Sequence, residues 1–278
     1  VNNFTQSVEL LDEWYKKYHK KENLINFELG FHAEYTTKKE ILEGIADLAE
    51  KYKAPVYTHN SESESEVAQC IERTKVTPTV YMDRLGIFNY GGGFYHCVHM
   101  TQNDLDIVKE HNISVITNPA SNLKLASGIA PIDHMLKEGI NLAIGTDGPA
   151  SNNCLDMFRE MFLVTALAKY RENDASAVDA LEVLKMATIG GAKAMNLTDC
   201  DVLAEGKEAD IIMIDLNQPN MQPIHNIQKN LVYSGSKQNV KLTMVAGKIL
   251  YENGEFFIGT DAYKIYEKAN DIAERIVK

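Results

Sequence analysis

Apolar residues recur at two different periods along this chain, and the alternation between those periods predicts its architecture. Leu10, Leu11, Trp14, Tyr15 and Tyr18 fall at helical spacing within residues 8–18. LINFELGFH (24–32) is a short apolar run closed by a turn, and it reads as a buried strand. Thr37-Lys-Lys-Glu40 has the form of a capping box, and Ile41, Leu42, Ile45, Leu48 and Tyr52 make one apolar stripe behind it. APVYTHN (54–60) is the second strand and a helix follows at 63–73. Glycines at 91–93 then lead into FYHCVH (94–99), the third strand. Thr101 to Asp104 caps another helix, ISVITNP (113–119) is the fourth strand, Pro131 opens a helix, and NLAIGTDG (141–148) is the fifth strand.

Helices alternating with strands that are apolar throughout predict a parallel sheet covered by helices, an α/β fold. His32, His59, His96 and Asp147 all stand where a strand ends and a loop begins. In a parallel β/α barrel those ends meet on one face, which carries the chemistry. Five strands do not close an eight-stranded barrel, so the sheet is either open or part of a barrel entered midway. After a long helix starting near Asn153 and a second at 176–195, the texture changes. ADIIMIDL (209–216) and NVKLTMVAGKILYENGEFF (239–257) are β-rich, with Glu252-Asn-Gly254 as a hairpin turn, and a helix at 262–276 ends the chain.

Composition narrows the class. A chain of 278 residues with 45% hydrophobic and 24% charged residues is an ordinary globular chain, long enough for one large domain or two smaller ones. There is no run of eighteen apolar residues, and VNNFTQSVEL at the N-terminus lacks a basic start followed by an apolar stretch. Both facts argue against a membrane span and a secretory signal. A net charge of −11 has the wrong sign for a partner such as nucleic acid or anionic lipid. Cys70, Cys97, Cys154 and Cys200 lie far apart with no CxxC pair, which points to reduced thiols and a cytoplasmic location.

Three constellations could carry chemistry. His59-Asn-Ser-Glu62 offers an imidazole ligand for zinc or iron and a carboxylate able to carry protons, although Glu62 could equally cap the next helix. In His96-Cys-Val-His99, strand alternation puts His96 and Val98 on one side, Cys97 and His99 on the other, so only one histidine faces the barrel axis. Gly145-Thr-Asp147-Gly148 ends an apolar strand with an aspartate that could hold a metal and accept a proton, or simply make an Asp-Gly turn. The polar loop 118–128 belongs to the same face, where loops bind substrates or hold ligands, and Ser151-Asn152-Asn153 reads as a helix cap or outer support. The ten methionines are dispersed core filler, His19, His111 and His134 fall on helix surfaces, and His225 is given no role.

With these residues assembled, the sequence resembles the amidohydrolase superfamily, in particular its 5-methylthioadenosine/S-adenosylhomocysteine deaminase (chlorohydrolase-like) group. The resemblance covers nearly the whole chain and is strongest at THNSESESE (58–66), HCVHMT (96–101), NPASNLKLASGIAP (118–131) and GTDGPASNNCLDMFREM (145–161). It implies an incomplete TIM-like (β/α)8 barrel, strands 4–8, over residues 1–200, a small C-terminal β-sandwich portion over 201–260 and a terminal helix over 261–278. It also implies one divalent metal, zinc first and iron second, that activates water for hydrolytic deamination of a purine nucleoside. By the same resemblance His59 and Asp147 bind the metal, Glu62 shuttles protons, His96 polarises the water or the intermediate, and Asp147 also acts as base. His32, Glu62 and Asp147 contact the substrate.

The family's other two metal ligands form a His-x-His pair on strand 1, and no His-x-His occurs in these residues. The expectation is therefore the C-terminal portion of a longer enzyme, with weakened metal binding and an unprotected strand edge. Such a portion would be inactive alone or would associate as a homo-oligomer. The competing expectations are a related enzyme acting on guanine, a triazine or another heterocyclic amine, and a non-catalytic barrel fragment serving as a scaffold.

Overall fold

A computed structural model describes residues 4–21 and 24–277. Two compact units divide the chain at Asn196/Leu197. The outermost positions of the first and last expected domains, 1–3 and 278, lie outside the described residues.

In the first unit, five short strands form one parallel sheet: β1 (Leu29–Ala33), β2 (Val56–Asn60), β3 (Gly92–His96), β4 (Ile113–Thr117) and β5 (Leu142–Ile144). Their spatial order β1-β2-β3-β4-β5 follows the chain, as the helix-strand alternation predicts. Each strand carries a core of fully buried apolar side chains, among them Leu29, Val56, Phe94, Val115 and Leu142. Their burial keeps the five strand ends in a fixed relation, and it is at those ends that the polar residues collect. β1 and β5 are the sheet's two edges among the described residues.

The helices of this unit are α1 (Phe4–Tyr18), α2 (Lys39–Tyr52), α3 (Glu64–Thr74), α4 (Pro78–Arg84), α5 (Gln102–Glu110), α6 (Pro119–Lys124), α7 (Ile132–Lys137), α8 (Pro149–Asn152) and α9 (Met157–Glu172). The expected stripe on α2 is buried at Leu42, Ile45 and Leu48. The expected capping box ahead of it does not form. Thr37 closes a 3-10 turn over Glu34–Thr36, the N-cap position falls to Lys38, and no side chain caps the helix. The boxes that do form are Ser63/Glu66 on α3 and Thr101/Asp104 on α5. α4 was not expected from the sequence, and Thr77 caps it with Pro78 in its first turn. The long helix expected near Asn153 starts instead at Met157, because Asp156 is its cap and Asn153 sits in the left-handed region at φ 67°. The helix expected at 176–195 runs over 180–194, with a π-turn at Met186–Gly190. His19 and His111 are less solvated than their surface assignment implied: His19 Nδ1 bonds the Phe27 carbonyl at 2.7 Å and His111 Nε2 meets Asp83 at 2.8 Å.

The second unit holds an antiparallel sheet of β6 (Ile211–Ile214), β7 (Val240–Val245), β8 (Lys248–Glu252) and β9 (Glu255–Phe256), followed by a helix over Ala262–Val277. Asn253 and Gly254 both take positive φ between β8 and β9, which is the backbone an Asn-Gly hairpin requires. Among the described residues no helix is long and apolar enough to cross a membrane.

Candidate active site

The site is built from the C-terminal ends of the parallel strands and the loops that leave them. On β2, Val56, Thr58 and Asn60 are buried while Tyr57 and His59 alternate with them on the other face. Nδ1 of His59 donates to the His32 carbonyl on β1 at 2.6 Å. That bond places the ring hydrogen on Nδ1 and leaves the lone pair on Nε2, as a metal-binding imidazole needs. His32 itself is exposed, and its Nδ1 donates to Thr36 Oγ1 at 2.9 Å. Its ring centroid lies 4.7 Å from that of His59.

His96 arrives by a different route from the one alternation suggests. The register pairs Asn60 with His96, so a continuing strand would carry His96 to the face that Asn60 occupies, away from His59. The strand stops there instead. His96 and Cys97 both adopt positive φ, 74° and 50°, and the His96 ring stacks on His59 with centroids 5.3 Å apart and planes at 21°. Two successive left-handed non-glycine residues cost about 1–3 kcal/mol each, so the surrounding packing must hold them there. His99 falls outside the alternation as well, and its Nε2 bonds the Ser127 carbonyl at 2.7 Å.

Glu62 is not the cap of α3. Ser63 and Glu66 fill that role, with Glu66 accepting from the backbone N–H groups of Ser61 and Glu62 at 2.9 and 2.8 Å. Burial pushes the Glu66 carboxyl up, and these backbone bonds oppose that only in part. Freed from capping, the Glu62 carboxylate has Oε2 3.7 Å from His96 Nε2, and its Oε1 accepts from Ser127 Oγ at 3.1 Å.

Asp147 follows β5 with φ 58° and accepts two bonds, from Ser121 Oγ at 2.6 Å and from the Gly148 N–H at 2.7 Å. Burial works to raise its carboxyl. The Ser121 hydroxyl, the Gly148 N–H, the Ser151 hydroxyl and the nearby His96 together outweigh burial and hold it below the ordinary carboxylate range.

Behind this layer, Glu160 on α9 is fully buried and accepts from the Ala120 N–H at 3.0 Å and from Asn152 Nδ2 at 2.8 Å. Asn152 Nδ2 also reaches the Thr146 carbonyl at 2.5 Å. One carboxylate thus ties the loop after β4 to the loop after β5. Burial raises its carboxyl, against the two bonds it accepts. Asn152 supports the site rather than capping α9. The sequence reading treated 118–128 as a polar loop without singling out Ser121, Asn122 or Ser127, and it passed over Glu160. A buried-carboxylate signal was available for Glu160, which interrupts the apolar face of α9 between Phe158 and Met161.

The donors suit a divalent cation in kind, a neutral imidazole with an outward lone pair and an ionised carboxylate. In number they fall short of a closed site. Among the described residues, no three His, Cys, Asp or Glu side chains are grouped closely enough to hold a metal ion.

A profile of the Amidohydrolase family matches residues 2–250 of the chain. The chain belongs to the amidohydrolase family. A 5-methylthioadenosine/S-adenosylhomocysteine deaminase of Caldanaerobacter subterraneus subsp. tengcongensis is 40% identical to this amidohydrolase over 260 residues, which is 93% of this chain and 60% of the relative. Among solved structures, an adenosine deaminase from Xanthomonas campestris with bound zinc superposes with a TM-score of 0.89 at 35% identity, covering 98% of this chain and 61% of that one. An atrazine chlorohydrolase from Arthrobacter aurescens complexed with zinc superposes with a TM-score of 0.87 at 25% identity, covering 97% of this chain and 60% of that one. The chain therefore spans about 60% of the length of the relatives it matches.

Proposed function

We propose that this amidohydrolase chain carries half of a hydrolytic deaminase site acting on adenosine-type nucleosides such as 5-methylthioadenosine or S-adenosylhomocysteine. In this reading β1–β5 are strands 4–8 of an eight-stranded barrel and residues 201–260 are part of a β-sandwich. The observation that carries the reading is the approach of Glu62 to within 3.7 Å of His96, beside the His59 ring, in a chain 40% identical to a named deaminase of such nucleosides.

His59, through Nε2, and Asp147 would hold a divalent cation, zinc before iron, since solved relatives contain zinc. When bound, such an ion is a Lewis acid that makes hydroxide available near neutral pH. The chain's own groups account for the proton traffic. Asp147, held ionised by Ser121 and Gly148, can accept a proton on a carboxylate oxygen. Glu62 can take a proton and return it to a ring nitrogen of the purine, steadied at Oε1 by Ser127. His96 Nε2 faces the same space and can orient the water. His32, exposed beside His59, would meet the sugar or thioether side.

Hydrolytic specificity for guanine or a triazine is the second reading, favoured by the fold shared with the chlorohydrolase. The test is ammonia release from 5-methylthioadenosine, S-adenosylhomocysteine, guanine and an aminotriazine. It is run with zinc on a polypeptide in which this chain follows the N-terminal portion of the Caldanaerobacter relative. Preference for the two nucleosides, lost on Glu62→Gln, is the expected result. Preference for guanine or the triazine would overturn the substrate assignment. Zinc uptake with no turnover of any of the four would favour a scaffold.

A further inference from the structure

One segment, residues 118–128, shares a hydrogen bond with each of three groups that would do the chemistry. Ser121 Oγ donates to Asp147 at 2.6 Å, Asn122 Oδ1 lies 2.7 Å from His96 Nδ1, and Ser127 Oγ donates to Glu62 at 3.1 Å. All three residues are buried, at 0%, 1% and 8% exposure. The segment is itself tied down. The Ser127 N–H bonds the Asn122 carbonyl at 2.8 Å, His99 Nε2 holds the Ser127 carbonyl, and Glu160 holds the Ala120 N–H.

The Asn122–His96 bond has a consequence that the other two lack. A carboxamide oxygen only accepts, so a ring nitrogen 2.7 Å from it must carry the hydrogen. His96 is buried, which removes water as a competing partner for that nitrogen. We propose that Asn122 is a positioning residue that holds a hydrogen on His96 Nδ1, so that in the neutral ring the lone pair falls on Nε2, in the space it shares with Glu62. The assignment of a catalytic purpose to this arrangement rests on the deaminase reading above. The tautomer itself does not. An Nε2 lone pair can accept a hydrogen bond from a water lying beside the His96–Glu62 pair, and the 3.7 Å separation is too long for a direct bond between those two. The opposite tautomer would offer that water a second donor and misdirect its own lone pairs.

The test is long-range proton–nitrogen correlation of the histidine side chains of the 278-residue chain, at a pH where imidazole is neutral. The His96 signal is identified by its loss in His96→Gln. The wild type is expected to show a protonated Nδ1 and an unprotonated Nε2. Asn122→Asp, whose carboxylate presents only acceptors, should keep that pattern, and Asn122→Leu should lose it while circular dichroism remains that of the wild type. A wild-type His96 protonated on Nε2 would overturn the proposal, as would an unchanged pattern in Asn122→Leu. If Asn122→Leu does not fold, the wild-type and Asn122→Asp spectra decide alone, since an amide turned the other way would give the reverse tautomer in the first and switch it in the second. Absence of deamination by the polypeptide completed with the relative's N-terminal portion, together with the expected tautomer, would refute the functional reading and leave the role of Asn122 standing. Deamination with the reverse tautomer would do the opposite.

Discussion

Gly92→Ala is the substitution whose effect the structure fixes most closely. Gly92 opens β3 with φ 141°, and a Cβ built there would stand 1.9 Å from the Val56 carbonyl oxygen of β2. Real Cβ atoms essentially never come within 3.0 Å of another atom, so β2 and β3 would have to part by about 1.1 Å at their paired residues Val56 and Gly92. Placing alanine in that backbone region costs about 1–3 kcal/mol. Loosening one or two ladder bonds adds about 0.5–1.5 kcal/mol each. The expected total, about 1.5–6 kcal/mol, is a large share of the roughly 5–15 kcal/mol that stabilises a domain. Gly139 is the control, because it has φ 75° and nothing within 4 Å of its Cβ position. Alanine there should cost only the conformational part, about 1 kcal/mol. Urea unfolding followed by far-ultraviolet circular dichroism compares the two. If Gly92→Ala falls within about 0.5 kcal/mol of Gly139→Ala, the clash argument is wrong. Because His96 ends the same strand, Gly92→Ala should also disturb the His96–His59 ring stacking, visible in the histidine ring resonances.

Phe94→Ala removes a fully buried ring that meets Phe88 edge to face at 4.6 Å, and urea unfolding should register a loss of about 3–5 kcal/mol. Ser121→Ala takes one donor from the partly solvated Asp147 carboxylate and should cost about 1 kcal/mol at pH 7, less than the full value of a charge-accepting bond because solvent screens it. The Asp147 carboxyl lies below its ordinary value in the folded chain, so this contribution is present above about pH 3.8 and fades as pH falls through the lower folded value. Wild-type and variant stabilities should therefore converge in acid, which unfolding between pH 2.5 and 7 would reveal. Zinc at a hundredfold excess over its dissociation constant should stabilise the first unit by about 2.7 kcal/mol, and His59→Ala or Asp147→Asn should abolish that shift in thermal unfolding.

The parallel sheet was legible because its strands are largely apolar runs and each is followed by helical periodicity, a signal that local chemistry alone can carry. The antiparallel β8–β9 turn was legible for a similar reason, since Asn253-Gly254 supplies the two positive φ values in sequence. His59 and His96 lie in the last two residues of their strands and Glu62 and Asp147 just beyond theirs, which is what makes them candidates in the sequence. The geometry that joins them was not legible. Alternation sends His96 to the wrong face, and the correction depends on left-handed backbone at His96 and Cys97, residues with no intrinsic preference for it. Thr37 to Glu40 carries the letters of a capping box, yet the preceding 3-10 turn takes Thr37 for its own end. Ser121, Asn122, Ser127 and Glu160 act across gaps of 26 to 65 residues. Pattern reading sees periods within one element, and these bonds exist only after several elements have met.

The strand order of the sheet has a consequence for how the chain reaches its native state. Every pairing in β1-β2-β3-β4-β5 joins strands that are neighbours in sequence, so no strand must wait for a distant segment before it can dock. Loop-closure entropy is then met in short, similar instalments instead of one long closure. During synthesis each helix-strand increment can add to the edge left by the one before it, and the growing edge moves along the sheet in the direction of translation. His59 is laid down before His96, and His96 before Asp147, so the cluster is assembled in the order in which its members leave the ribosome.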